Sequence, residues 1–154
     1  MRVNRILVPT DFSPAANRAF DLAMELAPAL EGTVVLMHTY GIPPYAYPGL
    51  ESLATSEFIA AIEQAAHTAL NDAVLARKGA GVPIASALYC GVPWEQILIA
   101  VRQHEIGLVV MGTQGRRGIA HLFLGSVAEK VVRLSPVPVL TVHAPLEQAR
   151  VNEV

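Results

Sequence analysis

Apolar residues come in five short runs along this chain, and between the runs their spacing widens to every third or fourth position. The runs are Arg5–Pro9, Thr33–Thr39, Pro83–Tyr89, Ile106–Met111 and Val137–Val142. Short, nearly continuous apolar stretches of this kind predict strands buried on both faces, as in a parallel sheet. Between the first two, Ala16, Phe20, Ala23, Ala27 and Leu30 recur at spacings of four, three, four and three, which is one face of an amphipathic helix. Ser13 is placed to cap that helix and Pro14 suits its first position, while Pro28 predicts a kink or early fraying. A second helix, over about Thr55–Lys78, carries Phe58, Ile62, Ala65, Ala69 and Ala73 on one face and stops at Gly79 and Gly81. A third runs from Pro93 to about His104 with Trp94, Ile97, Leu98 and Val101 inward. A fourth begins near Gly125 and ends by Ser135-Pro136.

Alternation of strand and helix at this spacing predicts an α/β fold: a five-stranded parallel sheet with right-handed crossovers and helices on both faces. No repeat, low-complexity stretch or linker interrupts it, so residues 1–154 read as one domain. The one long irregular connection is Tyr40–Ala54, with Pro43, Pro44, Tyr45, Tyr47, Pro48 and Gly49. A connection of this length is either functional or a surface excursion stiffened by proline.

The chemistry concentrates after the fourth run. Gly112-Thr113-Gln114-Gly115 follows the predicted strand directly, and Gly125-Ser126 opens the helix beyond. A strand emptying into a glycine-rich loop and then a helix N-terminus is a ready anion site. Glycine lets backbone N–H groups approach a phosphate, and the helix end adds unsatisfied donors and partial positive charge. The ligand this implies is phosphorylated, a nucleotide foremost. In an open parallel sheet, ligands bind beyond the carboxyl ends of the strands where the strand order reverses. If the first and fourth strands are neighbours, Pro9-Thr10-Asp11-Phe12-Ser13 faces the glycine loop across one crevice. Thr10 and Asp11 then reach a sugar or base while Gly112, Gly115, Gly125 and Ser126 take phosphates. The structural alternative for Asp11 is an Asx turn that shapes the junction, and Ser126-Val127-Ala128-Glu129 also fits a capping box. Arg116 and Arg117 either screen phosphate charge or are solvated.

Composition narrows the classes. The chain is 53% apolar and 16% charged, which suits a sheet covered on both faces, yet no apolar run approaches the length of a membrane span. A formal net charge of −2 argues against a general nucleic-acid binder. The N-terminus enters a strand at once, without the features of a signal peptide. The lone Cys90 excludes an internal disulfide framework, so a reducing cytoplasm is expected; it reads as a packed residue rather than a nucleophile. The five histidines show no metal-ligand spacing, and no metal site built from side chains is expected. A dinucleotide fingerprint is missing after the first strand, Gly-Lys-Ser/Thr is missing throughout, and the third strand ends without a receiver's acceptor aspartate.

On these residues the chain resembles a single-domain universal stress protein. The likeness runs from Ile6-Leu7-Val8-Pro9-Thr10-Asp11-Phe12-Ser13 to Val137-Pro138-Val139-Leu140-Thr141-Val142. It is sharpest at Val109-Val110-Met111-Gly112-Thr113-Gln114-Gly115-Arg116 and Leu124-Gly125-Ser126-Val127-Ala128-Glu129, which meet the G-x2-G-x9-G-[S/T] pattern of the family's ATP-binding branch. The resemblance implies a Rossmann-like sheet ordered 3-2-1-4-5. It implies that Pro9, Thr10 and Asp11 line an adenosine pocket and that Thr39 meets adenine through its backbone. Met111 would pack nearby, with Gly112, Gly115, Arg116, Gly125, Ser126 and Val127 around the phosphates. Gln114 stands where histidine or arginine is frequent. The implied ligand is ATP, or ADP or AMP, with Mg²⁺ held mainly by the phosphates. The implied partner is a second copy, joined as a homodimer through the last strand, Val137–Val142; Pro136 and Pro138 blunt the start of that edge, which suits a monomer instead.

The function that follows is a cytoplasmic, nucleotide-binding regulator of the stress response. Two alternatives remain at this level. A slow ATPase would have Asp11 and Arg116 but neither a P-loop lysine nor paired acids. A nucleotide-independent interaction scaffold would use the glycine loop only as a tight turn.

Overall fold

The computed structural model describes residues 3–41, 56–113 and 124–143. Its elements are β1 (Arg5–Thr10), α1 (Pro14–Leu26), β2 (Thr33–Tyr40), α2 (Ser56–Leu75), β3 (Ile84–Cys90), α3 (Pro93–Gln103), β4 (Leu108–Gly112), α4 (Ser126–Leu134) and β5 (Val139–Val142). The five strands form one all-parallel sheet in the order β3-β2-β1-β4-β5, as the family resemblance implied.

The alternating side chains of the strands build two cores, one on each face of the sheet. On one face Ile6, Val8, Val34, Leu36, Val110 and Val142 pack with Ala19, Phe20 and Ala23 of α1 and Leu70 of α2. On the other, Leu7, Val35, Met37, Val109 and Met111 pack with Ile97, Ala100 and Val101 of α3 and Ala128 and Val131 of α4.

Ser13 caps α1 as expected, its Oγ accepting from the Ala16 amide, with Pro14 at the first position. Pro28 ends the helix rather than kinking it. The helix stops at Leu26 and the chain tightens into a 3₁₀ turn over Pro28–Leu30, closed by Glu31 in a left-handed conformation. A proline ring there would strike the carbonyl one turn back, so α-helix cannot continue.

The inward face expected for α2 needs correction. Phe58 and Ala65 are exposed, and the buried residues are Ala66 and Leu70. Alanines occur on every side of this helix, so their spacing defines no stripe; the bulk of Leu70 sets the face. The expected start of the last strand also moves, from Val137 to Val139, because Pro136 and Pro138 have no N–H to give to a ladder. Tyr40, expected to open the long loop, is the last residue of β2 and pairs with Cys90. The rest of that loop, residues 42–55, lies outside the described residues. Among the described residues no helix is long and apolar enough to cross a membrane.

Candidate functional site

The site begins where the ladder between two neighbouring strands ends. β1 and β4 are paired at Ile6 with Leu108 and at Leu7 with Val109. Beyond those pairs β1 continues to Thr10 against β2, and β4 continues to Gly112 against β5. The β1–β4 ladder therefore ends short of the carboxyl ends of both strands, at the point where chain order reverses across the sheet. The adjacency of the first and fourth strands, on which a crevice at this end depends, is met.

One wall is the turn from β1 into α1. Thr10 is buried, and its Oγ1 accepts from the Phe12 amide at 2.9 Å; Asp11 Oδ1 accepts from the Ser13 amide at 3.0 Å. Asp11 thus makes the Asx turn that was its structural alternative, and Thr10 makes the matching hydroxyl turn. Between them Phe12 adopts a positive φ of 63°, a conformation that costs an L-residue about 1–2 kcal/mol. Its ring lies 4.6 Å from that of His38 on β2. His38 Nδ1 is 2.7 Å from the Thr10 carbonyl. A carbonyl only accepts, so Nδ1 carries the proton. Thr39, the next residue, is half-buried and pairs with Tyr89.

The opposite wall is the end of β4 and the start of α4. Met111 is buried among the α3–α4 core residues, where its side chain is spent on packing. Thr113 is 1% exposed and ties three elements together. Its amide donates to the Val142 carbonyl, its Oγ1 meets His143 Nδ1 at 2.9 Å, and its carbonyl accepts from the Gly125 amide at 2.6 Å. The return of the chain at Gly125 is thereby pinned against the strand that the loop left.

The two described glycines of the motif have packing reasons of their own. A Cβ on Gly112 would stand 2.9 Å from the backbone carbon and Cβ of Ala15, and one on Gly125 would stand 3.0 Å from the Thr113 carbonyl oxygen. Bare backbone at these positions lets the first turn of α1 and the start of α4 close on β4. Gly115 and Arg116, with Gln114 and Arg117, lie outside the described residues.

The capping box proposed for Ser126 is corrected by one residue. Gly125 is the N-cap, in extended conformation (φ −70°, ψ 157°), and its carbonyl accepts from the Glu129 amide. Ser126 is already helical, so its hydroxyl is not at the capping position. With glycine as the cap, the N-cap residue offers no side-chain acceptor to the first amides of α4. Those amides belong to Ser126, which is exposed, and to Val127, which leans on the α3–α4 core. Among the described residues no group of three or more His, Cys, Asp and Glu side chains is placed to hold a metal ion.

The expected residues Pro9, Thr10, Asp11, Thr39, Met111, Gly112, Gly125, Ser126 and Val127 all fall at strand carboxyl ends or at the start of α4. Three that sequence reasoning passed over stand with them: Phe12, His38 and Thr113. Phe12 carries no local signal for a left-handed conformation, and the partners of His38 and Thr113 are far away in sequence. The imidazole in an otherwise apolar strand was the one visible hint.

Residues 2–143 match the model of the Universal stress protein family. A universal stress protein of Thermus aquaticus is 35% identical over 140 residues, spanning 90% of this chain and 97% of the relative. Among solved structures, the universal stress protein UspA from Lactobacillus plantarum matches with a TM-score of 0.78 at 26% identity, covering 92% of this chain and 99% of that one. A universal stress protein in complex with cAMP matches with a TM-score of 0.68, also at 26% identity, covering 94% and 99%.

Proposed function

The chain belongs to the universal stress protein family, and on that premise we propose that it is a cytoplasmic regulator of the stress response that binds an adenine nucleotide between β1 and β4. The observation that carries the reading is the end of the β1–β4 ladder at Leu7 and Val109, with a glycine-capped helix N-terminus following β4. The carboxyl ends of strands at a switch point take a flat, polar ligand, and helix-end amides take its phosphates. The similar protein solved with cAMP supports an adenine nucleotide as the class of ligand.

In this reading Pro9, Thr10 and Asp11 line the nucleoside and the Thr39 backbone meets the base. Met111 backs the pocket, and Gly112, Gly125, Ser126 and Val127 stand at the phosphates together with Gly115 and Arg116. ATP, or ADP or AMP, is the ligand, and Mg²⁺ is carried mainly by its phosphates. A bound nucleotide regulates by favouring whichever conformation or assembly it binds more tightly. The assembly proposed is a homodimer through Val137–Val142, because β5 is a sheet edge with Leu140 exposed and an edge strand needs a cover.

Calorimetric titration of nucleotide-stripped protein with Mg-ATP, ADP, AMP and cAMP tests the reading. Saturation at one site per chain with micromolar affinity, about −8 kcal/mol, is the expected result. No heat with any of the four at millimolar concentration overturns it and leaves the scaffold reading, which the packing at Gly112 and Gly125 accommodates. Gly115→Asp is the matching control: it sets a carboxylate where phosphates are proposed and should abolish binding without unfolding the protein.

A further inference from the structure

We propose that His38 is the positioning residue of the nucleotide site, holding the Thr10–Ser13 turn in the shape that presents Thr10 and Asp11 to the crevice. The inference rests on the nucleotide reading above and adds to it a residue that touches the turn rather than the ligand.

The turn is not a conformation the chain would keep by itself. Phe12 sits at φ 63°, in a region that side-chain-bearing residues rarely adopt and that persists where surroundings over-determine it. Local bonds supply part of that constraint, through Thr10 Oγ1 to the Phe12 amide and Asp11 Oδ1 to the Ser13 amide. Both acceptors are the side chains proposed to face the ligand, so neither bond fixes the turn relative to the rest of the sheet.

His38 does so from outside. It is the β2 residue in register with Thr10, and its Nδ1–H donates to the Thr10 carbonyl at 2.7 Å, across 28 positions of sequence. Its ring packs against the Phe12 ring at 4.6 Å, tilted by 44°. One side chain therefore clamps the residue before Asp11 by a hydrogen bond and the residue after it by ring contact. Reorienting the backbone through Asp11 would strain one or the other. The hydrogen bond also fixes the tautomer, since only protonated Nδ1 satisfies it.

Two substitutions separate the clamp from mere bulk. His38→Phe keeps an aromatic ring against Phe12 and removes the donor. His38→Asn puts a carboxamide N–H near the position of Nδ1 and restores it. Affinity for AMP and ATP is measured by calorimetry, and amide hydrogen exchange of Phe12 and Ser13 is measured by NMR without nucleotide. Leu7 and Val35, buried in the sheet, report global stability. The expected result is at least tenfold weaker nucleotide binding and at least tenfold faster exchange at Phe12 and Ser13 in His38→Phe. Leu7 and Val35 should be unchanged, and His38→Asn should lie within threefold of wild type. Wild-type affinity in His38→Phe overturns the proposal, as does faster exchange spread equally to Leu7 and Val35. Failure of the wild-type protein to bind any nucleotide defeats the nucleotide reading and this role within it; the exchange rates then say separately whether His38 holds the turn.

Discussion

The Gly125 amide donates to the Thr113 carbonyl at 2.6 Å, so the chain that leaves β4 at Thr113 returns to the same residue before entering α4. The bond leaves little room there: a Cβ on Gly125 would stand 3.0 Å from the Thr113 oxygen. The motif that reads as a phosphate loop is thus also a closure, and its ends are set by packing before any ligand arrives.

Gly112→Ala should therefore destabilise the protein in the absence of nucleotide. The new Cβ meets Ala15 backbone and side chain at 2.9 Å, and α1 must shift to admit it. Overpacking of this kind costs about 1–3 kcal/mol. Thermal unfolding of stripped protein measures it, and an unchanged melting temperature would remove the packing explanation for this glycine.

How much of this was legible beforehand depends on where the determining contact lies. The order of elements and the Ser13–Pro14 start of α1 are local, and local chemistry wrote them plainly; Pro28 marked a disturbance but not that the helix stops at Leu26. The sheet order came through the family resemblance, since alternation of strand and helix fixes the class but not the sequence of neighbours. The burial of α2 was misread because alanine marks no face; Leu70 does, through contact with a sheet that the helix sequence does not contain. Glycine 112 was visible, but not that Ala15 stands against it. His38 and Phe12 are 26 residues apart, and their pairing exists only once β2 lies beside β1.

Arg77 should prove the main tie between the outer helices α1 and α2. Just beyond α2, it places its guanidinium 4.2 Å over the Phe20 ring and gives Nε to Asp21 at 2.8 Å. Its side chain is only 18% exposed, although that of Asp21 is 59%, so ring contact outweighs the screened ion pair. Arg77→Ala is expected to cost about 1–2 kcal/mol, read as a lower urea midpoint at constant slope. Arg77→Lys should recover less than half, because an ammonium cannot stack and donate in one plane.

Alkaline pH should weaken the fold through Tyr89. Its hydroxyl donates to Gln103 Oε1 at 2.7 Å and lies 3.0 Å from His104 Nε2. Burial raises its pKa above the ordinary value of 10.0, so the unfolded chain loses this proton first. The stabilisation is complete below pH 10 and is lost as pH rises through the folded-state value. Tyr40 is raised as well, by burial first and then by Glu63 and Cys90, and contributes in the same direction. Melting temperatures between pH 8 and about 11.5 should fall less steeply in Tyr89→Phe, and less again with Tyr40→Phe added. An identical alkaline slope in all three proteins would contradict the assignment.

The edge at β5 gives the test of assembly. Pro136 and Pro138 delay this strand until Val139, and among the described residues Val139–Val142 has no strand on the side away from β4. Leu140 is 38% exposed there, at the centre of the short edge. An isolated apolar side chain on a monomer's surface is unremarkable, but on an unpaired strand it favours addition of a second strand, and a charge at the same place opposes it. Leu140→Lys should convert the proposed dimer to monomer in light scattering at micromolar concentration. Its own melting temperature should not depend on protein concentration, whereas that of the wild type should rise with it. A wild-type protein that is monomeric throughout would overturn the dimer, and a Leu140→Lys variant that still dimerises would move the interface away from β5.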